Sequence, residues 1–487
     1  MNAQLITTID TSAFPTSEAY PMDINGDGQP EILFVQSAGM LKSDVYGGSD
    51  RAAGADPRRH IFCITAVDSS GQVLWQYGTP YTAAEHWPGH VVDQVLCCMT
   101  RPDSAGVEIA ALQCNRLVVL DGATGRLLRA VDLDADNYGI IIPFQWQGET
   151  RLLVKNADRE RDDYWYANPA CIFDSDLKLV AKLPQIVGSG HSPRALDIDG
   201  DGNDELLIGF GAYTGAGERL WQLSDPTGKE YIPLLHHVDQ LQIAPLGPDG
   251  ALAIIYAGSW DIKLATLDGQ LLWQYELGHP QHVLVGDFRG AEKRAPLAFM
   301  NVQINGFWHT IGEHLTESGA RNGLELRPDE WSGNALIFAD RHGDLVQILY
   351  PQNWWPGSDT RSSGAHSGEG LLILPQGCPD GSDAVIIHDW GWPRAVNLDG
   401  DEPFRFPYPE PANPSVNADG YGMRLFDVDG DGRVEALIHD RNTAWIFKPP
   451  LPAPGTANTH AGLRSVTGQG WYAATDPDSI GSDHEND

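Results

Sequence analysis

Three short segments of this 487-residue chain place oxygen-bearing side chains at one spacing. They are Asp23, Asn25, Asp27 and Glu31 in DINGDGQPE, Asp197, Asp199, Asp201 and Glu205 in DIDGDGNDE, and Asp427, Asp429, Asp431 and Glu435 in DVDGDGRVE. Oxygens at the first, third, fifth and ninth positions, with a backbone carbonyl near the seventh, can wrap a hard cation at the ~2.3–2.6 Å that calcium prefers. The glycines permit the sharp turn between ligands. The loops are shorter than an EF-hand loop, and no helix pattern flanks them, so two or three structural Ca2+ sites are expected. A second set of residues suits proton transfer or soft-metal binding. His90, Tyr138, His191, His237, His282 and His366 each stand at or near the opening of an apolar run. Imidazole titrates near neutrality and also ligates transition metals. One such His is ordinarily a strand cap; its recurrence at the same place in a repeat points to a shared site.

Those positions need an element that repeats. One unit recurs as a strand, a tight Asp/Gly turn and a second strand, as in ITAVDSSGQVLWQYG, ATLDGQLLWQYEL and IFADRHGDLVQILY. Asp-Gly turns between alternating apolar residues mark β-hairpins. Between the hairpins lie apolar strands starting near 21, 90, 138, 191, 237, 282, 366 and 421. Eight starts and seven complete closing hairpins predict an all-β, single β-propeller of eight blades, seven if one start is miscounted. The last blade, ending at AWIFKPP, then needs its outer strand from the N-terminal QLITTID, which would close the ring and remove exposed edges. In a propeller the first strand of each blade lines the channel, so residues opening those strands meet at one mouth. Residues 1–450 are read as the propeller, with a long insertion over about 304–332, and 451–487 as a disordered tail.

Composition narrows the function classes. The net charge of −34 repels phosphate backbones and argues against nucleic acid as a partner. The six cysteines show no CxxC or zinc spacing and read as buried free thiols. No apolar run is long enough to span a membrane, and the N-terminus MNAQLITTID carries no signal-peptide pattern. A cytoplasmic location is therefore favoured, or a secreted one if a signal has been trimmed, and no obligate protein partner is evident.

The DxDGDGxxE loops, each feeding a strand such as EILFV or ELLIGF, resemble the FG-GAP calcium repeats of integrin-like propellers. Together with GHSPRALDIDGDGNDELLIGF and the following HHVDQ, they also resemble calcium-bearing propeller polysaccharide lyases of the rhamnogalacturonan, ulvan and rhamnose–glucuronate type. That resemblance implies β-elimination on an acidic, uronate-containing glycan. It also implies His and Tyr for proton transfer and Arg for the substrate carboxylate. On that basis His90 is the expected base, with His86 and His60 as neighbours, and Tyr138 the expected acid. Arg159 or Lys155 would neutralise the carboxylate. His191, Arg194, His237, His282, Trp87 and Trp165 would bind substrate. The alternatives are a non-catalytic glycan-binding or adhesion propeller, and a hydrolase or metal enzyme holding zinc or iron on His90, His191 and His237.

Overall fold

The computed structural model describes residues 1–16, 18–37, 62–82, 97–100, 106–113, 115–134, 138–156, 169–231, 236–289, 297–304, 312–324, 333–349, 371–388, 392–408 and 421–450. Eight antiparallel sheets form the eight blades of a propeller, seven of them four-stranded. The first strands are Glu18–Met22, Cys97–Met99, Tyr138–Trp146, Arg194–Leu196, Val238–Ala244, His279–Gly286, Leu371–Leu374 and Gly422–Phe426, in blades 1 to 8. Several neighbouring first strands pack side by side, as those of blades 3 and 4 and of blades 5 and 6 do. Blade 8 takes its outer strand from the other end of the chain. Gln4–Asp10 pairs antiparallel with Thr443–Lys448, with Gln4 opposite Lys448 and Asp10 opposite Thr443. Blade 7 has three strands, Leu371–Leu374, Ala384–Ile387 and Arg394–Val396. Beside its third strand an isolated bridge joins Arg394 to Arg405, and Arg405 also bridges Asn2.

Sequence texture follows depth. Second strands are covered on both faces, so they read as unbroken apolar runs such as EIAALQ and AIIYAG. Outer strands are the most exposed: Val73–Gly78 leaves Val73 and Leu74 open to solvent and buries Trp75. The Asp/Gly turns between third and fourth strands are held by their own acids: Asp68 Oδ1 accepts from the amides of Ser70 and Gln72, and Asp174 Oδ1 from those of Asp176 and Lys178. The aromatic at the end of the repeat locks neighbouring blades. Trp75 of blade 1 donates Nε1–H to Gly122 O of blade 2 at 2.7 Å. Gly125 lies under the same indole, where a Cβ would come within 2.4 Å of the ring.

The described part of the insertion near 304–332 includes a helix, Glu313–Arg321, that lies before the third strand of blade 6. The five described cysteines are buried free thiols, and burial pushes the Cys63 thiol up to about 11. Among the described residues no helix is long and apolar enough to cross a membrane. Cys114 and the 451–487 segment lie outside the described residues.

Candidate functional site

The openings of three consecutive first strands meet. His191 precedes the first strand of blade 4, His237 that of blade 5, and His279 begins that of blade 6. The His191 and His237 ring centroids are 5.4 Å apart, and those of His237 and His279 5.8 Å. Asp239 sits among them: its Oδ1 is 3.1 Å from His237 Nε2 and 3.8 Å from His191 Nε2, and its Oδ2 is 3.1 Å from His279 Nε2. Ser259 Oγ lies 2.7 Å from His237 Nδ1 and orients that ring.

Local irregularity aims the carboxylate. Val238 pairs with Gly258 and Gln240 with Ala257, so Asp239 is the extra residue of a β-bulge. Bulges re-aim side chains in this way. Burial would raise the Asp239 carboxyl, but the His237 and His279 imidazoles beside it hold it well below the usual range. Burial also pushes His237 down, which favours the neutral imidazole that metals require.

Donor atoms of His191, His237 and Asp239 all lie within 4.8 Å of one another. With His279 on the same carboxylate, the set fits a borderline divalent ion of the zinc type better than calcium, which prefers oxygen alone. The backbone before the cluster is also fixed. Lys155 is fully buried and donates to Gly190 O and, at 2.9 Å, to Asn156 O. Gly190 adopts φ +58°, and a Cβ there would stand 1.7 Å from Val238 O.

The three acidic loops lie at the other end of the first strands. Each joins a first strand to a second, and Glu31, Glu205 and Glu435 are the first residues of those second strands. Asp197 Oδ1 accepts from the Gly200 amide at 2.7 Å and Oδ2 from Gly202 at 2.9 Å, while Glu205 Oε2 accepts from Ile198 at 2.8 Å. Asp23, Glu31, Asp427 and Glu435 make the matching contacts with Gly28, Ile24, Gly432 and Val428. Asp197, Asp199 and Glu205 form one group that could hold a metal, and Asp427, Asp429 and Glu435 another. In the first loop Asn25 Nδ2 bridges Asp27 and Glu31 at 3.1 and 2.8 Å. Burial, helped by neighbouring aspartates, raises the Glu31 and Glu205 carboxyls, as expected of acids packed together for a cation.

Tyr138 is buried at the start of the blade 3 first strand. Its hydroxyl donates to Asp134 Oδ1 at 2.8 Å and lies 3.4 Å from Cys171 Sγ. Burial, with Cys171 and Asp134 alongside, pushes the phenol well above its ordinary value, so it keeps its proton. Arg194 is buried on the blade 4 first strand, with Nη1 on Pro193 O at 3.1 Å. His282 is buried on the blade 6 first strand, just past a register shift between Pro280 and His282. His60, His86, Trp87, His90, Arg159, Trp165 and His366 lie outside the described residues. The described strand ends that bracket the segments carrying His60, His90 and Arg159 (Ser37 and Phe62, Gly78 and Cys97, Asn156 and Ala170) open on the face that carries His191.

The sequence reading missed Asp239, His279 and Ser259. His279 carried a signal, because it opens a first strand; Asp239 carried none, because the bulge at this residue breaks the strand alternation.

Fold and site together define an eight-bladed propeller with a His/Asp cluster at one mouth and acidic loops at the other. No protein-family profile matches the chain, and no curated protein matches it either. Among solved structures, the exotype rhamnogalacturonan lyase YesX matches with a TM-score of 0.56 and 14% identity, over 93% of this chain and 75% of that one. Rhamnogalacturonan lyase YesW matches with a TM-score of 0.56 and 15% identity over the same shares. A rhamnogalacturonan lyase from Bacillus licheniformis gives 0.55 and 14%, over 92% and 74%. At these identities the likeness is one of fold.

Proposed function

We propose that this propeller is a polysaccharide lyase that cleaves a uronate-containing glycan by β-elimination at the His191 mouth. The observation that carries the reading is the convergence of His191, His237 and His279 on Asp239, in a fold shared with rhamnogalacturonan lyases across most of the chain. Elimination needs the substrate carboxylate neutralised, so that the proton on the adjacent carbon becomes acidic. A base takes that proton, its electron pair forms the carbon–carbon double bond, and the glycosidic carbon–oxygen bond breaks toward an oxygen that must be protonated. His90 is assigned as base, with His86 and His60 able to share the role, and Arg159 as the carboxylate clamp.

Tyr138 is assigned as the acid; its hydroxyl is protonated and donates to Asp134 in the free protein, so proton delivery to the leaving oxygen requires that bond to be exchanged. Lys155, bound to Gly190 O, holds the backbone before His191. His191, Arg194, His237, His282, Trp87 and Trp165 would line the glycan path. Calcium in the acidic loops would brace the far end of the first strands.

The close approach of the His191, His237 and Asp239 donor atoms favours one second reading, a metal-dependent hydrolase at the same mouth. Mass spectrometry of the products from ulvan, rhamnogalacturonan and gum arabic separates the two. A lyase releases an oligosaccharide one water lighter than the hydrolytic product. Products carrying the added water would replace the lyase with the hydrolase, and intact polymer throughout would remove both.

A further inference from the structure

The three acidic loops share a pattern but not what faces it. Extending the strand register by one residue sets a different partner opposite each ninth-position glutamate. Ile32 pairs with Val67, which brings Asp68 toward Glu31; Leu206 pairs with Tyr213, which brings Thr214 toward Glu205; Ala436 pairs with Phe447, which brings Lys448 toward Glu435. The chain thus offers an acid, a hydroxyl and an amine at one structural position.

The amine reaches in. Lys448 Nζ lies 3.1 Å from Asp429 Oδ2, 2.7 Å from Asp431 Oδ2 and 3.2 Å from Glu435 Oε1. Those are three of the four side chains that would ligate a cation. The fourth, Asp427, has Oδ1 on the Asp431 amide at 3.1 Å and Oδ2 on the Gly432 amide at 2.7 Å. An ammonium has three N–H donors; here Nζ donates to Asp429 and Asp431 and pairs with Glu435 as an ion. In the second loop, among the described residues, no lysine or arginine pairs with Asp197, Asp199, Asp201 or Glu205.

We propose that Lys448 is a tethered cation that takes the metal's place in the third loop, leaving divalent ions to the first two. The proposal rests on the reading of these loops as calcium sites. A calcium ion entering the third loop must expel a cation already paired with three of its ligands, whereas among the described residues no lysine or arginine pairs with the acids of the second. Blade 8, which closes the ring, is then held at this loop without metal.

Calorimetric titration of chelator-stripped, full-length protein with calcium tests this. Lys448→Met, which keeps the stem without the charge, is expected to bind one equivalent more than the wild type, or to bind at the third loop at least tenfold more tightly. Adding Asp429→Asn should abolish that gain in Lys448→Met and change nothing in the wild type. An equal, non-zero stoichiometry with equal affinities in wild type and Lys448→Met would overturn the proposal alone. No binding by either would overturn the calcium reading and the proposal with it.

Should Lys448→Met fail to fold, the double variant Glu31→Gln, Glu205→Gln leaves the third loop as the one intact loop. That variant is expected to take up no calcium at about 1 mM, and one bound equivalent there would overturn the proposal.

Discussion

Asp239 faces two imidazoles at 3.1 Å and a third at 3.8 Å, so a change of one oxygen at this carboxylate reaches the whole cluster. Asp239→Asn is expected to weaken zinc binding on the order of tenfold or more, read by competition with a chromophoric chelator. Equal affinity would show that the cluster is a hydrogen-bond network and not a metal centre. His236, next to the cluster, gives a pH prediction. Burial lowers its pKa below the ordinary imidazole value; Asp261 partly offsets this, and Lys263 and His237 add to it. The unfolded chain therefore takes up this proton before the folded one. Its contribution to stability is complete above the unfolded pKa of about 6.5 and is lost as pH falls from there through the folded pKa. Thermal melts of metal-free protein should decline from pH 7.5 to 5.5, and His236→Gln should flatten part of that decline. At this scale the sequence was half legible. His191 and His237 stood out because they recur in the repeat. Asp239 did not, because it is a bulge that places this side chain in the cluster and no spacing rule predicts which residue bulges.

Elements position the site through a few backbone constraints. Gly190 must adopt φ +58° and lie against Val238 O, while its own carbonyl accepts from Lys155. Gly190→Ala is expected to cost on the order of 2–3 kcal/mol by chemical denaturation and to loosen metal at the neighbouring His191. Retention of both would mean the segment relaxes freely. Gly125→Ala tests the lock between blades instead, since its Cβ would meet the Trp75 ring at 2.4 Å. It should lower stability by about 1–3 kcal/mol while leaving the metal cluster intact. The hairpins were readable in the sequence because Asp/Gly turns and the closing aromatic are local signals. Blade 7 was less so: AVNLDGDEPFRF reads as a hairpin, yet only the Arg405 bridges stand where its outer strand would be.

Ring closure is a property of the whole molecule, and it was legible because blade 8 had a turn, three strands and no fourth. The Gln4–Asp10 strand fills that edge. Deleting residues 1–10 should lower the melting temperature and promote self-association, read by light scattering, because an open sheet edge pairs with other chains. Unchanged melting would mean that the ring holds without that strand. The eight-blade count was likewise visible, since eight first-strand openings spaced along the chain became eight sheets. Chemistry at the mouth was less visible, because it is assembled from blades far apart in sequence. The assignment as a lyase is most directly tested by the ultraviolet absorbance of the new double bond, conjugated to the uronate carboxylate. Calcium-loaded protein would be mixed with ulvan, rhamnogalacturonan and gum arabic beside a His90→Ala variant. Absorbance is expected to rise on at least one glycan, and His90→Ala is expected to abolish the rise. No rise on any of them would contradict the lyase, and a rise that survives His90→Ala would contradict His90 as its base.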